Sequence, residues 1–589
     1  VTTLLHGESG VGKSALVRRF ASRAVKADRM TVVLAGRCYE RESVPYKAVD
    51  GVIDSLSRYL AARPEAELAT LLPRQRGLLG QVFPVLRKID AIAEAPRPTP
   101  GALDPQVLRA RLFYALRDLL IRLADNGPLV LVIDDLQWAD ADSLALLADV
   151  MRPPREPKLL LLVTMRDALK TELLRLEEDP TETTVQGVEQ VLALFTGDVR
   201  MIRVGSLPQE DARALVDALL RDAGAVARVS AGALAEEAGG HPLFIDELVR
   251  QRLLLGENAG PVRLDEALRT RIGRLDEGPR RLLELTAVAG ALLVEEAAAI
   301  AAGIELNDLL REAALLRAQN LVRTGGMRRT DAIEPYHDRV REAGLLGLDP
   351  AAQRAWHGGL ARALEGADLA AAEALAVHWR GAGEAAKAAA YALDAAESAA
   401  SAFAFDRAAR LYQLTLELRP ASGPEGSALR EKLGDALANA GRGARAADAY
   451  LAAAEQRTPE GAIERRRKAA EQLLRCGHID EAMAALRTVL TAIGMDLPES
   501  SKRALPALLI RRTQVRLRGL GFRERHESEI AAEDLVRIDT CWAVSTGLGL
   551  VDNIIGSYFQ SRGLLLALDA GEPHRIARAL AVEASYSSA

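Results

Sequence analysis

The stretch Val1–Ser14, VTTLLHGESGVGKS, decides the fold. Its first six residues are apolar and partly β-branched, and they read as a strand. Gly7-Glu8-Ser9-Gly10-Val11-Gly12-Lys13-Ser14 follows. Ala15–Val25 then sets Leu16, Val17, Phe20 and Ala21 on one helical face. Strand, glycine loop and helix are the context in which G-x-x-x-x-G-K-[ST] forms a phosphate cradle. Gly7, Gly10 and Gly12 admit positive φ and the close approach of an anion. The loop N–H groups, with those of Gly10, Val11 and Gly12 among them, converge on a β-phosphate, and the helix N-terminus adds its positive end. Lys13 brings charge to the β/γ oxygens and Ser14 Oγ a ligand for Mg²⁺.

Downstream, Asp104-Pro105 opens a helix with Asp as N-cap and Pro at the first position. Asn126-Gly127-Pro128 stops it. Leu129–Ile133 (LVLVI) is a continuous apolar run, as in a parallel strand buried on both faces. It ends in Asp134-Asp135. At the carboxyl end of a central strand these carboxylates lie beside the phosphate loop. Asp134 is expected to hold Mg²⁺ through water, and Asp135 to orient the attacking water. Lys158–Met165 is another buried strand, and Arg166 at its end can reach a γ-phosphate. Thr31–Ala35 and Met201–Val204 complete five parallel strands, and Tyr46–Leu60 looks helical. Thr171–Asp198 reads as an insertion. No His or Asp stands near Cys38 in the sequence, and it reads as a packed small residue rather than a nucleophile.

With 589 residues, several domains are expected. Hydrophobic content of 49% with 27% charged residues is that of core-forming globular protein. The net charge of −5 gives no global reason to expect nucleic-acid or membrane binding. Cys38, Cys476 and Cys541 are far apart, which implies a reducing compartment and no disulfide or metal framework. No apolar run is long enough to span a bilayer and there is no signal peptide, so a cytoplasmic location is expected. The chain opens on Val1 inside a strand and ends inside helical sequence, and it reads as a piece of a longer protein.

Gly205–Gln251 changes to helical sequence and contains Gly240-His241-Pro242. Leu264–Leu348 reads as three helices, then Leu321–Arg323, a Thr324-Gly325-Gly326 turn and Ile333–Tyr336, which suggests a winged helix. From Ala351 on, the chain is Ala- and Leu-rich helix. Ala408–Tyr412, Ala446–Tyr450 and Ala482–Leu486 look alike, and Gly441 and Gly477 mark matching turns. That near-regular spacing indicates a helix-pair solenoid of tetratricopeptide (TPR) type. Basic residues in Arg511–Arg525 could form a nucleic-acid patch, but read first as a solvated helix face. The expected architecture is multidomain. An α/β P-loop NTPase with a doubly wound parallel sheet (1–204) precedes a helical lid (205–258), a winged helix (259–348) and an all-α TPR-like solenoid (349–589).

At Leu129–Asp140, LVLVIDDLQWAD, the chain resembles the STAND class of P-loop ATPases, the signal transduction ATPases with numerous domains. The resemblance spans about 1–348, and the repeats after it fit the class layout. It implies ATP/ADP as ligand with Mg²⁺. It also implies that Arg166 is the sensor Arg at the end of the fourth strand and that Pro242 contacts adenine. His337-Asp338 then matches the winged-helix His-Asp pair, whose His approaches the ADP β-phosphate in the closed state. The class's upstream adenine-contacting G-R-x-x-E segment is absent from these residues.

The runs Gly36–Asp50 and Arg537–Ser557 also look like those of bacterial PknK-like serine/threonine kinases. The resemblance therefore implies a slowly hydrolysing ATP switch, the regulatory part of a multidomain kinase whose catalytic domain lies outside these residues. A LuxR/MalT-type transcription regulator is the alternative, and a scaffold with structural nucleotide a third. Further expectations are a protein or small-molecule inducer on the solenoid, nucleotide-dependent self-assembly, and neither membrane nor direct nucleic-acid binding.

Overall fold

The computed structural model describes all residues except 40–43, 98–102, 168–187, 224–229, 256–263, 326–331, 368–370, 456–458, 499, 550–551 and 589. Most of the expected insertion, from Thr171 to residue 187, lies outside the described residues, as does Gly326 of the expected turn.

Five strands form one parallel sheet: β1 (Thr2–Gly7), β2 (Val32–Arg37), β3 (Leu129–Asp134), β4 (Leu159–Arg166) and β5 (Val199–Arg203). Their order is β2-β3-β4-β1-β5. The apolar runs alternate between two covered faces. Val130, Val132 and Leu162 meet Leu5 and Val17 of α1 (Lys13–Ala27). Leu131, Ile133 and Leu161 instead meet Ile53 of α2 (Lys47–Ala61), Leu116 of α6 (Pro105–Asn126) and Leu146 of α7 (Ala141–Val150). Short helices α3 (Glu65–Leu71), α4 (Arg76–Val82) and α5 (Asp90–Ala93) join α2 to α6, and α8 (Val188–Leu194) precedes β5. Asp104 caps α6 as expected, its carboxylate accepting from Gln106 N at 2.8 Å. The face expected for α1 is not the one it buries. Lys13 and Val17 turn inward, whereas Leu16 and Phe20 are exposed. Contact with the sheet runs along the single i, i+4 line of Lys13 and Val17, which puts their neighbours at i−1 and i+3 on the outside.

Helices α9 (Gln209–Asp222), α10 (Ala231–Glu237) and α11 (Pro242–Leu255) share a small core of Ala212, Val216, Leu234, Ile245 and Leu248. Four helices, not three, precede the hairpin: α12 (Leu264–Gly273), α13 (Glu277–Ala289), α14 (Glu295–Ala302) and α15 (Leu306–Ala318). Gly290 and Gly303, each at φ 68°, end α13 and α14 and make the extra break. Strands β7 (Val322–Gly325) and β8 (Ala332–Pro335) pair antiparallel, with the two-residue β6 (Leu293–Val294) on β8. Thr324 and Gly325 therefore belong to a strand rather than to the turn. Helix α16 (Asp338–Leu346) follows.

Helices α17 (Pro350–Ala367), α18 (Ala372–Gly381), α19 (Ala385–Ser401) and α20 (Phe405–Leu418) complete the first compact unit, Val1–Leu418. The second unit, Arg419–Ala589, is helical: α21 (Gly423–Asn439), α22 (Gly443–Ala454), α23 (Pro459–Arg475), α24 (Ile479–Ala492), α25 (Ser501–Arg518), α26 (Ala532–Leu548), α27 (Asn553–Ala570) and α28 (Pro573–Ser588). Within it α21 packs on α22, α22 on α23 and α23 on α24, the neighbour-on-neighbour pattern of a helical solenoid. The look-alike segments fall on α20, α22 and α24. Gly441 and Gly477 take φ 77° and 80° at the turns before α22 and α24.

Candidate functional site

Parallel register assembles the site at the carboxyl ends of the strands. Gly7 of β1 lies opposite Arg166 of β4, and Arg37 of β2 lies opposite Asp134 of β3. Because β4 sits between β3 and β1, its last residues lie between the phosphate loop and the aspartate pair.

The loop is shaped for an anion. Gly10 and Gly12 take φ 87° and 105°. Gly12 caps α1 with no capping side chain, and the first turn of α1 carries no acid, which leaves its N–H groups and positive end available to a phosphate. Ser9 Oγ is buried in the loop without a hydrogen-bond partner. Lys13 Nζ donates to the carbonyls of Gly7 (2.9 Å) and Glu8 (2.8 Å). Burial pushes its pKa down, against the pull of Asp135. Ser14 Oγ donates to Asp134 Oδ1 at 2.9 Å, which brings the two expected Mg²⁺ ligands to one point. A hydroxyl and one carboxylate are what Mg²⁺ takes when it keeps several waters, so this donor set fits that ion beside a phosphate chain.

Asp135 is held hard. Its backbone is left-handed at φ 62°, a conformation Asp tolerates better than most residues. Thr164 Oγ1, fully buried on β4, accepts from Asp135 N (2.9 Å) and donates to Asp134 Oδ1. Arg37 Nε donates to Asp135 Oδ2 at 2.9 Å, and Gln137 Nε2 to Oδ1 at 3.1 Å. Burial pushes the Asp135 pKa up, but Arg37 and Arg166 outweigh it and hold the carboxyl below its usual range. Gln137 Oε1 accepts from Arg166 N at 3.3 Å. The Arg166 guanidinium lies 5.9 Å from the centre of the Trp138 ring.

The winged helix closes this end of the sheet. Asp338, the first residue of α16, forms an ion pair with Arg166 and stands 3.9 Å from Arg37. Glu334 of β8 pairs with Arg323 at 2.6 Å and lies 3.9 Å from Arg37. Burial, opposed by Arg37, pushes the Glu334 pKa up to about 7. His337 caps α16, its Nδ1 accepting from Arg339 N at 3.2 Å. Burial, with Arg166 adding to it, pushes its pKa down to about 3, so the ring is neutral at physiological pH. The His241 ring of the lid also reaches the loop, Nε2 meeting Ser9 O at 3.0 Å. Its Nδ1 accepts from Phe244 N at 3.4 Å, which leaves Nε2 as the protonated nitrogen. A Cβ on Gly10 would lie 2.8 Å from Leu243 Cβ, so the lid packs on a position that only glycine fills.

The structure thus gathers Gly7, Gly10, Val11, Gly12, Lys13, Ser14, Asp134, Asp135 and Arg166 at one place, with His337 alongside. Pro242 opens α11 as a helix-start proline, and the contacts to the loop come from its neighbours His241 and Leu243. Sequence reasoning gave no role to Arg37, Thr164, Gln137 or Glu334. For Arg37 a signal existed, since it ends a parallel strand just as Arg166 does. Cys38 is buried next to Arg37, a packed residue as expected.

Residues 2–163 match the family described as "AAA ATPase domain", and over that stretch the chain is similar to it. No curated protein matches the chain. Among solved structures, it is similar to a signal transduction ATPase with numerous domains (STAND) protein with a tetratricopeptide repeat sensor from Pyrococcus horikoshii. The identity is 13% and the TM-score 0.46, over 100% of this chain and 78% of that one. It also matches Drosophila ORC bound to DNA, at 12% identity and TM-score 0.19, over 59% of this chain and 89% of that one.

Proposed function

We propose that this chain is the ATP-driven regulatory switch of a signalling protein, in its closed form. The ion pair between Arg166 and Asp338 carries the reading. A guanidinium engaged by a carboxylate is the same fork that would engage a phosphate, so Asp338 and a γ-phosphate compete for Arg166. Arg37 restrains Asp135 in the same way.

Mg²⁺ held by Ser14 and Asp134 would neutralise charge on the β and γ oxygens. The residues of the chain do the rest. Lys13 exchanges the carbonyls of Gly7 and Glu8 for phosphate oxygens. Asp135, kept ionised, orients and polarises a water once Arg37 lets go of it. Arg166, freed from Asp338, stabilises charge on the transferring group. ADP leaves the Arg166–Asp338 pair undisturbed, whereas ATP strains it. Turnover is slow because two of these groups are engaged elsewhere in the closed form.

The effector we favour is a serine/threonine kinase domain in the same polypeptide, on the likeness of Gly36–Asp50 and Arg537–Ser557 to PknK-like sequences. The helical repeats would take a protein or small-molecule inducer whose binding opens the winged helix and permits assembly. The test is nucleotide content and turnover of the purified chain, with Lys13→Ala alongside. Co-purifying ADP, slow turnover, and loss of both in Lys13→Ala support the switch. Absence of nucleotide together with absence of turnover in the unsubstituted chain overturns it.

A further inference from the structure

Helix α25 and the loop after it, Gly519–Arg525, break the rule that large apolar side chains on a surface stand alone. Leu509, Ile510, Leu517, Leu520 and Phe522 are all exposed, Leu517 at 83%. The helix packs on α27 through its opposite side, where Ala504 and Leu508 are buried and Val515 meets the core around Leu564 and Leu568. The outward side therefore mixes leucine and isoleucine with basic residues. Ser501–Arg525 holds eight Lys and Arg residues against one acid, Glu524, in a chain whose net charge is −5. Arg518 pairs across to Asp569 of α27 at 2.9 Å. A solvated helix face explains the arginines but not the exposed leucines. A nucleic-acid strand would engage the arginines and leave the leucines in water.

We infer that α25 and the Gly519–Arg525 loop form an attachment surface for an anionic lipid bilayer. Charge complementarity selects the headgroups, and the projecting Leu517, Leu520 and Phe522 enter the acyl boundary between them. A bilayer interface admits side chains that project singly, without needing a shaped groove to receive them. Binding of this kind is peripheral and reversible. No helix among the described residues is long and apolar enough to cross a membrane. The sequence-based expectation of no membrane contact rested on the whole-chain charge, and this patch is a local reversal of it. The inference does not depend on the nucleotide switch.

Co-sedimentation of the full chain with vesicles tests it, using phosphatidylcholine alone and phosphatidylcholine with about 30 mol% phosphatidylserine, at about 100 mM salt. Binding is expected only to the anionic vesicles. Each basic residue at the surface contributes about fivefold, so Arg516→Gln with Arg523→Gln lowers the partition by about 25-fold, and rising salt lowers it too. Leu517→Gln, Leu520→Gln and Phe522→Gln together lower it by about tenfold or more. These sites are exposed, so an unchanged melting curve certifies the fold of both variants. Absence of binding to anionic vesicles overturns the inference, and so does binding that neither variant weakens. It is also overturned if the variants abolish association with duplex DNA, or of one copy with another, while no vesicles are bound.

Discussion

Two pairs of acids stand only a few residues apart, Asp134-Asp135 and Asp140/Asp142, and the fold gives them opposite employment. The first pair ends β3 and faces the phosphate loop. The second begins α7 and grips the helical region. Asp140 caps α7 through Ser143 N at 2.9 Å and lies 3.6 Å from Arg407. Asp142, fully buried, accepts from Arg109 at 3.1 Å and from the backbone N–H of Arg407 at 3.0 Å, at the start of α20. Tyr46 OH adds a bond to Phe403 O at 3.0 Å, and Arg407 pairs with Glu373 of α18 at 2.5 Å. Burial is similar in the two pairs, but the charges around them differ. Two arginines hold Asp135 ionised. Burial and the neighbouring Asp140, opposed by Arg109, push the Asp142 pKa up to about 7. One pair faces the phosphate loop and the other anchors the helical region, and a single strand-to-helix turn joins them.

That division can be broken at either end. The largest effect falls on the chemical end. Asp135→Asn is expected to lower kcat by about a hundredfold or more while nucleotide affinity stays within a few-fold, because the carboxylate acts on water rather than on phosphate. Asp142→Asn should leave basal kcat within about twofold, since it does not touch the site. If steady-state assays find the two variants equally impaired, the division is wrong.

Next in size is Asp338→Ala, which takes the Asp338 carboxylate away from Arg166. Turnover should rise about fivefold to tenfold, read by phosphate release under saturating ATP. A fall instead would mean that Asp338 supports the site rather than restrains it.

Stability against pH sharpens the attachment end. Between the unfolded value of Asp142, near 4, and its folded value of about 7, the folded state keeps a proton that the unfolded state gives up. This contribution is therefore complete below about pH 4 and falls away as pH rises towards 7. Asp142→Asn removes that slope. Relative to the unsubstituted chain it should gain at most about 4 kcal/mol between pH 4 and pH 8, measured by denaturant melts. Parallel stability curves for the two proteins would remove Asp142 as a titrating group.

The smallest effect is on α1. Leu16→Gln should change stability by about 0.5 kcal/mol or less, because the side chain is already in water. Val17→Ala, which hollows the sheet-facing core, should cost clearly more.

The same contrast explains what could be read in advance. The phosphate loop, Asp134-Asp135 and the five strands are written in contiguous residues, because a strand, a turn and a helix start are local events. Arg166 was legible because a strand end in a doubly wound sheet has a known place. Arg37 stands 98 positions from the carboxylate it binds, and Arg407 265 positions from Asp142. The strand-end position of Arg37 was a signal, but nothing local marks the partner it takes, and Thr164 and Glu334 were silent for the same reason. Gln137 lies two residues from Asp135 and was within local reach. The fourth helix before the hairpin was missed for a different reason. Ala-rich segments have little amphipathic contrast, and Gly290 and Gly303 were the punctuation to follow.

The most direct test of the closed switch is the affinity of ATP against that of ADP, measured by calorimetry, for the unsubstituted chain and Asp338→Ala. If Asp338 and the γ-phosphate compete for Arg166, the substitution raises ATP affinity by about tenfold and leaves ADP affinity within about twofold. Equal changes for both nucleotides, or no change for either, would contradict the competition and with it the account of the site as a restrained ATPase.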